Sequence, residues 1–292
     1  ILAGVARRLG IPVVYYCCPQ LWAWAPWRVR KLRRLARLLL VIFPFEEEFF
    51  RGGAAAVKYV GHPICDALAA IDREAAAREL RARCGAGDGE TLVGLFPGSR
   101  RQEVAGLVAA MAEMARVLGG RHAGVKFAFS CLVESRASMF PPGFPVITGP
   151  GERLMAACDA AMVASGTATL ELAFFRKPMT VVYPAARWKQ KLFRALSTTP
   201  RISTVNLLAG TDIVGEHFIA HPEDVAAAAD DLSRLLGDAE ARRACVQSLA
   251  EVADRYLLPG ASARAAAEIL ELMDRADAAP GAGPGGRAES SP

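Results

Sequence analysis

Between residues 91 and 184 the chain passes through "TLVGLFPG", "VKFAFSCL", "FPVITG", "AAMVAS" and "MTVVYP", apolar stretches of strand length, most of them ending at Gly, Pro or Ser. Helical spacing fills the gaps between several of them: Gln102 to Leu118, then "RLMAACD", then Thr167 to Phe175. A strand that is apolar throughout has to be covered on both faces, and alternating strands and helices achieve this with a parallel sheet. The segment is therefore expected to form a Rossmann-like α/β domain. Ligands of such sheets bind at the carboxyl ends of the strands.

Upstream, "IPVVYYCCP" and "LLLVIFPF" have the character of buried strands, "AVKYVGHP" of a third, and Val29, Leu32, Leu35 and Ala36 give a helical spacing to the segment between the first two. A charged, Ala-rich helix is expected from Asp72 to Cys84, followed by the turn cluster "CGAGDGE". The 292 residues are enough for two domains with separate cores. The expected division is residues 1–66 for the first, 67–275 for the second with helices dominating after Pro222, and a Pro-, Gly- and Ala-rich tail at 276–292 expected to be disordered.

Composition narrows the function classes. The longest apolar run, Leu38 to Phe45, is far short of the roughly 20 residues of a membrane span. Seven cysteines with no Cys-x-x-Cys spacing fit buried, reduced thiols of a cytosolic protein. The net charge of +5 has one source: Arg28, Arg30, Lys31, Arg33, Arg34 and Arg37 form a run without an acid. Together with Trp22, Trp24 and Trp27 just before it, this run suits an anionic membrane surface, since a basic face attracts headgroups and Trp favours the interface. A solvated helix face is the plain alternative. Nothing else in the chain resembles a nucleic-acid module, so nucleic acid is not expected as a partner.

Two turns carry the chemistry. "MVASGTATLEL" is a strand, a tight turn at Ser165 and Gly166, and a helix from Thr167. The start of a helix presents unpaired N–H groups and the positive end of its dipole, which stabilise an anion. Glu171 follows one turn on, roughly 6 Å along the axis, where an ionised carboxylate has the acceptors for two ribose hydroxyls. "LFPGSRRQEV" offers a second such turn, with Gly98 for close approach, Ser99 as a cap and Arg100 and Arg101 to clamp phosphate oxygens. Ser99 and Gln102 also fit a capping box that needs no ligand. Two such turns on one sheet point to a nucleotide diphosphate. No Asp-x-Asp pair is present to hold a divalent ion, so no metal and no cofactor is expected. His217 and His221 have i, i+4 spacing but lack a third ligand.

"PQLWAW", "FPFEEEFF", "VGHPICD", "FPGSRRQEV", "ASGTATLE" and "NLLAG", in this order from Pro19 to Gly210, together resemble the lipid-A-disaccharide synthase family, inverting glycosyltransferases of GT-B architecture. The resemblance implies an α/β fold of GT-B type with two Rossmann-like domains, the N-terminal one incomplete. It implies transfer of 2,3-diacylglucosamine from UDP to 2,3-diacylglucosamine 1-phosphate (lipid X), giving the β-1,6 lipid A disaccharide and UDP at the inner membrane, from the cytoplasmic side. Gly98, Ser99 and Arg100 are expected at the diphosphate, Ser165, Gly166 and Thr167 in the same cradle, and Glu171 at the ribose. Asn206 is expected in the interdomain cleft and His62 at the hinge. His62 is also the one candidate base in the chain, because the family's apparent base, an Asp, lies upstream of Ile1 with a Gly-rich loop. For the chain as given, UDP-sugar binding with little or no turnover is therefore expected, and a catalytically silent UDP-sugar-binding or membrane-docking fragment is the alternative function. Ala25 stands where the family usually has Arg, and Val205 where it has Pro, which puts acceptor contacts in doubt. A UDP-N-acetylglucosamine 2-epimerase shares the architecture, but "PQLWAW" and "NLLAG" speak against it. A homodimer is left open.

Overall fold

The structure, a computed structural model, describes residues 2–186, 190 and 201–277. The chain forms two compact units, one made of the residues up to Pro63 and those from Gly260 on, the other of Ile64–Pro259.

In the first unit β1 (Val14–Tyr16), β2 (Leu38–Val41) and β3 (Ala56–Tyr59) form a parallel sheet in that order, with Leu38 level with Val14 on one side and Ala56 on the other. Helix α1 (Leu2–Arg8) precedes the sheet, and α2 (Leu21–Trp24), α3 (Val29–Leu35) and α4 (Pro44–Phe50) fill the connections. The central strand β2 is buried at every residue. Its side chains alternate between faces. Leu39 and Val41 pack with Cys18, Leu21, Ala25, Val29 and Phe50. Leu38 and Leu40 pack on the opposite face with Val60 and Ala265.

Ala265 belongs to the last helix, and this changes the expected domain plan. The helix over Ala261–Asp277, expected in the second domain, covers the open face of the first sheet. Arg264 Nε donates to the Val60 carbonyl at 2.8 Å, and Lys58 pairs with Glu268 at 3.5 Å. The apolar face of β2 cannot stay open to water, and among the described residues the helix that closes it comes from the far end of the sequence. The first boundary also falls at Pro63/Ile64 rather than after residue 66. Residues 276 and 277 extend that helix, and the rest of the tail expected to be disordered lies outside the described residues.

The second unit starts with α5 (Ile64–Ala69) and α6 (Arg73–Arg83) and contains a six-stranded sheet, parallel throughout. Its strands are β4 (Thr91–Phe96), β5 (Val125–Cys131), β6 (Val146–Thr148), β7 (Ala160–Ala164), β8 (Met179–Pro184) and β9 (Gly215–Ile219), in the order β6-β5-β4-β7-β8-β9. Between them run α7 (Arg101–Arg121), α8 (Glu152–Ala157), α9 (Thr167–Phe174) and α10 (Thr204–Ala209), followed by α11 (Pro222–Gly237), α12 (Ala239–Tyr256) and, in the first unit, α13 (Ala261–Asp277). The chain builds outward from β4 to β6, then returns and builds outward from β7 to β9. The reversal leaves a crevice at the carboxyl ends of β4 and β7, the place where open α/β sheets bind ligands.

Candidate functional site

The turns after β4 and β7 are the two glycine turns singled out above, and they line one cleft of about 300 Å³. Gly98, Ser99 and Arg100 border it on one side; Ser165, Gly166, Thr167 and Glu171 border it on the other. All seven lie in the second unit.

The first turn is shaped by two constraints. Gly98 has φ +103°, and a Cβ there would lie 2.5 Å from the Glu103 carboxylate, so only glycine fits. Helix α7 then begins one residue later than the Ser99/Gln102 capping box requires. Arg100 is its first flanking residue, and its backbone N–H is held by Glu103 Oε2 at 3.2 Å. Arg100 Nη1 also pairs with Glu103 Oε1 at 2.8 Å, while 82% of its side chain stays exposed. The Ser99 carbonyl accepts a hydrogen bond from Arg136 Nη1 at 2.5 Å, which ties the turn to the loop after β5.

The second turn is more open. Gly166 has φ +149° and ψ −159°, a backbone state essentially confined to glycine, yet no atom lies within 4 Å of the position a Cβ would occupy. The space in front of it belongs to the cleft. Thr169 holds the start of α9, its backbone N–H and its Oγ1 both donating to the Gly166 carbonyl at 3.1 and 2.8 Å. Thr167 and Ala168, the first two residues of α9, line the cleft, and their N–H groups precede the first intrahelical acceptor.

Glu171 projects into this cleft. Its carboxyl pKa is pushed up to about 7, first by burial and then by the negative charge of Glu152. Glu152 was not anticipated from the sequence. It opens α8, lines the same cleft, and its Oε2 is buried with no hydrogen-bond partner among the described residues. Ser130, at the end of β5, and Gly151 complete this wall; a Cβ at Gly151 would meet Ser130 Oγ at 2.8 Å. A buried acceptor without a donor and a half-titrated carboxyl beside it form a surface that calls for a hydroxyl-bearing ligand.

Other expected site residues stand elsewhere. Asn206 does not line this cleft: it is 0% exposed, and its amide is fully used inside the second unit. Its Nδ2 donates to the Val214 carbonyl and to Glu216 Oε1, and its Oδ1 accepts from the N–H groups of Ile213 and Val214. A side chain with both donors and both lone pairs engaged has nothing left for a ligand. His62 lies in the first unit, its ring 6.1 Å from that of Phe43, and burial lowers its pKa below the ordinary value, favouring the neutral imidazole. His217 lies on β9, 3.6 Å from Asp231, and His221 precedes α11, so the two do not share a helix face. Among the described residues no group of three or more His, Cys, Asp and Glu is placed to hold a metal ion.

The aromatic and basic segment divides. Trp22 is half-buried and turned inward: its indole N–H donates at 2.9 Å to Glu46, a fully buried residue whose carboxyl also holds the N–H groups of Ile42 and Phe43. Burial raises the pKa of Glu46 while these three donors oppose the rise. Trp27 is 71% exposed, and Arg28, Arg30 and Lys31 are exposed beside it. Trp24 ends α2, and its side chain lies outside the described residues. Arg33 is turned inward onto the Phe49 and Phe50 carbonyls.

Two parallel α/β sheets, one of them carrying a ligand cleft at its point of reversal, define a protein of the GT-B type. Solved structures share this fold at low identity: the wall teichoic acid polymerase TagF (TM-score 0.52, 11% identical, 86% of this chain and 61% of that one) and the α,α-trehalose 6-phosphate synthase of Burkholderia multivorans (TM-score 0.53, 15% identical, 98% and 70%). The family model of lipid-A-disaccharide synthetase matches residues 1–259. Lipid-A-disaccharide synthases of Thiobacillus denitrificans and Azotobacter vinelandii are 37% and 39% identical, over 94% and 92% of this chain and 74% and 72% of their own lengths. The chain belongs to the lipid-A-disaccharide synthase family, glycosyltransferases of lipid A biosynthesis.

Proposed function

We propose that the cleft between the β4 and β7 turns binds UDP-2,3-diacylglucosamine, and that the protein transfers its sugar to 2,3-diacylglucosamine 1-phosphate, releasing UDP and forming the β-1,6 disaccharide. The supporting observation is the meeting of two glycine turns and Glu171 at the point where the strand order reverses. Displacement of a diphosphate from an anomeric carbon needs charge stabilisation for the leaving group. In this reading the Arg100 guanidinium and the N-terminal amides of α7 and α9 provide it, with Gly98, Ser99, Gly166 and Thr167 shaping the approach. Glu171 accepts the ribose hydroxyls, and the unpartnered oxygen of Glu152 accepts a further hydroxyl of the ligand. The exposed Trp27, Arg28, Arg30 and Lys31 bind anionic headgroups and bring the cleft to acylated substrates at the inner membrane surface; among the described residues no helix is long and apolar enough to cross a membrane.

Disaccharide formation from the two acylated glucosamines tests this reading, together with calorimetric titration of UDP. Activity and UDP binding that both fall in Arg100→Ala and Glu171→Gln support it. UDP binding without turnover would make the chain a nucleotide-sugar-binding piece, and unchanged affinity in both variants would remove the site assignment.

A further inference from the structure

We infer that Glu216 is a positioning residue for the nucleotide cleft, acting through the Ile202 carbonyl on the Ser165 turn. This deepens the proposed reading of the cleft and rests on it. Glu216 stands on β9 and uses both carboxylate oxygens. Oε2 accepts the Ile202 N–H at 2.8 Å; Oε1 accepts the Ser203 N–H at 2.9 Å and Asn206 Nδ2 at 2.8 Å. Ser203 in turn caps α10, its hydroxyl accepting the Asn206 N–H at 3.2 Å. The segment 202–206 is thus fastened to the sheet by one carboxylate.

Ile202 then passes this constraint to the cleft. Its N–H is held by Glu216, and its carbonyl accepts the hydroxyl proton of Ser165 at 2.5 Å. A hydroxyl has a single proton. Ser165 therefore has no donor left for a phosphate, and its contribution to an anion site is to fix the turn rather than to touch the anion. The turn needs fixing, because Gly166 occupies a sparsely populated backbone state with no side chain packed in front of it. Such states persist only where the flanks determine them. On one flank Thr169 holds the Gly166 carbonyl; on the other the Ser165 N–H donates to the Val182 carbonyl of β8 at 3.0 Å, and the Ser165 side chain is tethered through Ile202 to Glu216. The strand bond fixes the backbone of Ser165, and the tether fixes its side chain and with it the aim of the Gly166 and Thr167 amides.

The test uses the full chain with Glu216→Gln, Ser165→Ala and the double variant, read by amide hydrogen exchange and by UDP titration. Gln places an NH2 against a backbone N–H, so exchange is expected to quicken at 202–206 and also at Thr169, whose N–H is held by the Gly166 carbonyl. Ser165→Ala is expected to quicken Thr169 alone. UDP affinity is expected to fall about tenfold in each single variant and no further in the double one, as for residues acting through one path. Quickening confined to 202–206 in Glu216→Gln, or losses of affinity that add in the double variant, overturns the inference. If Glu216→Gln fails to fold, unchanged exchange at Thr169 in Ser165→Ala overturns it equally. If the unaltered chain binds no UDP, the nucleotide reading falls, and the exchange data still decide whether the tether exists.

Discussion

Replacing Glu171 by Gln should stabilise the unliganded protein above neutral pH while weakening nucleotide binding. The carboxyl titrates at about 7 instead of an ordinary 4.5, because burial and Glu152 both disfavour its charge. Between these two values the folded chain holds a proton that the unfolded chain has released, so folding stability from this group declines as pH rises, and the decline is complete above about 7. At 1.36 kcal/mol per pKa unit, the full cost of ionising the folded carboxyl is ~3 kcal/mol, of which roughly 2 kcal/mol accrues between about pH 5.5 and pH 8.5. Gln bears no such cost. Urea unfolding followed by circular dichroism should therefore show the variant gaining on the unaltered protein by about 2 kcal/mol across that interval. In UDP titrations the order reverses: loss of charged acceptors costs about 1.5–3 kcal/mol, or roughly ten- to a hundredfold in affinity. Binding favours the ionised carboxylate, so affinity of the unaltered protein rises with pH through about 7 relative to the variant. A stability difference that does not change with pH would refute the assignment of a buried, mutually repelling carboxylate pair.

Gly166→Ala places a Cβ in a backbone state that L-residues rarely adopt, and a loss of about 1–3 kcal/mol in unfolding free energy is expected together with loss of UDP binding. Arg100→Ala removes an exposed side chain paired with Glu103, so its unfolding free energy should stay within about 0.5 kcal/mol of the parent while UDP affinity drops at least tenfold by calorimetry. Asn206→Ala leaves Glu216 and the Ile213 and Val214 amides short of partners in a buried place; a destabilisation of about 2–4 kcal/mol is expected by urea unfolding. Arg30→Ala combined with Lys31→Ala should lower co-sedimentation with vesicles of anionic phospholipid at low salt and leave UDP affinity unchanged, the two residues being exposed in the first unit.

The central strands β4, β7 and β8 were legible because burial on both faces forces a continuous apolar run, and the two glycine turns were legible because their φ values and the helix starts that follow have a sequence signature. Strand β9 was not. "GEHFI" carries Glu216 and His217, whose polar side chains meet Ile202, Ser203 and Asn206 in one case and Asp231 in the other, all outside the strand itself. Asn206 is expected at a cleft by resemblance alone, and nothing in its neighbourhood in the sequence announces the four hydrogen bonds that occupy its amide. Helix α13 has an amphipathic pattern that says it covers a sheet but not which one, and its partner β2 lies more than 200 positions upstream. Glu152 joined the cleft only because the sheet reverses at β4 and brings the start of α8 beside Glu171, a juxtaposition of topology rather than of spacing. The first turn was legible to within one residue, since Glu103 and not Gln102 reaches back to close α7.

A crystal structure of the protein grown with UDP puts the central claim to its most direct trial. The diphosphate should lie between Gly98 and Gly166, against the first amides of α7 and α9, with a ribose hydroxyl within hydrogen-bond distance of Glu171. Nucleotide density at any other edge of the sheet, or a ribose turned away from Glu171, would contradict it.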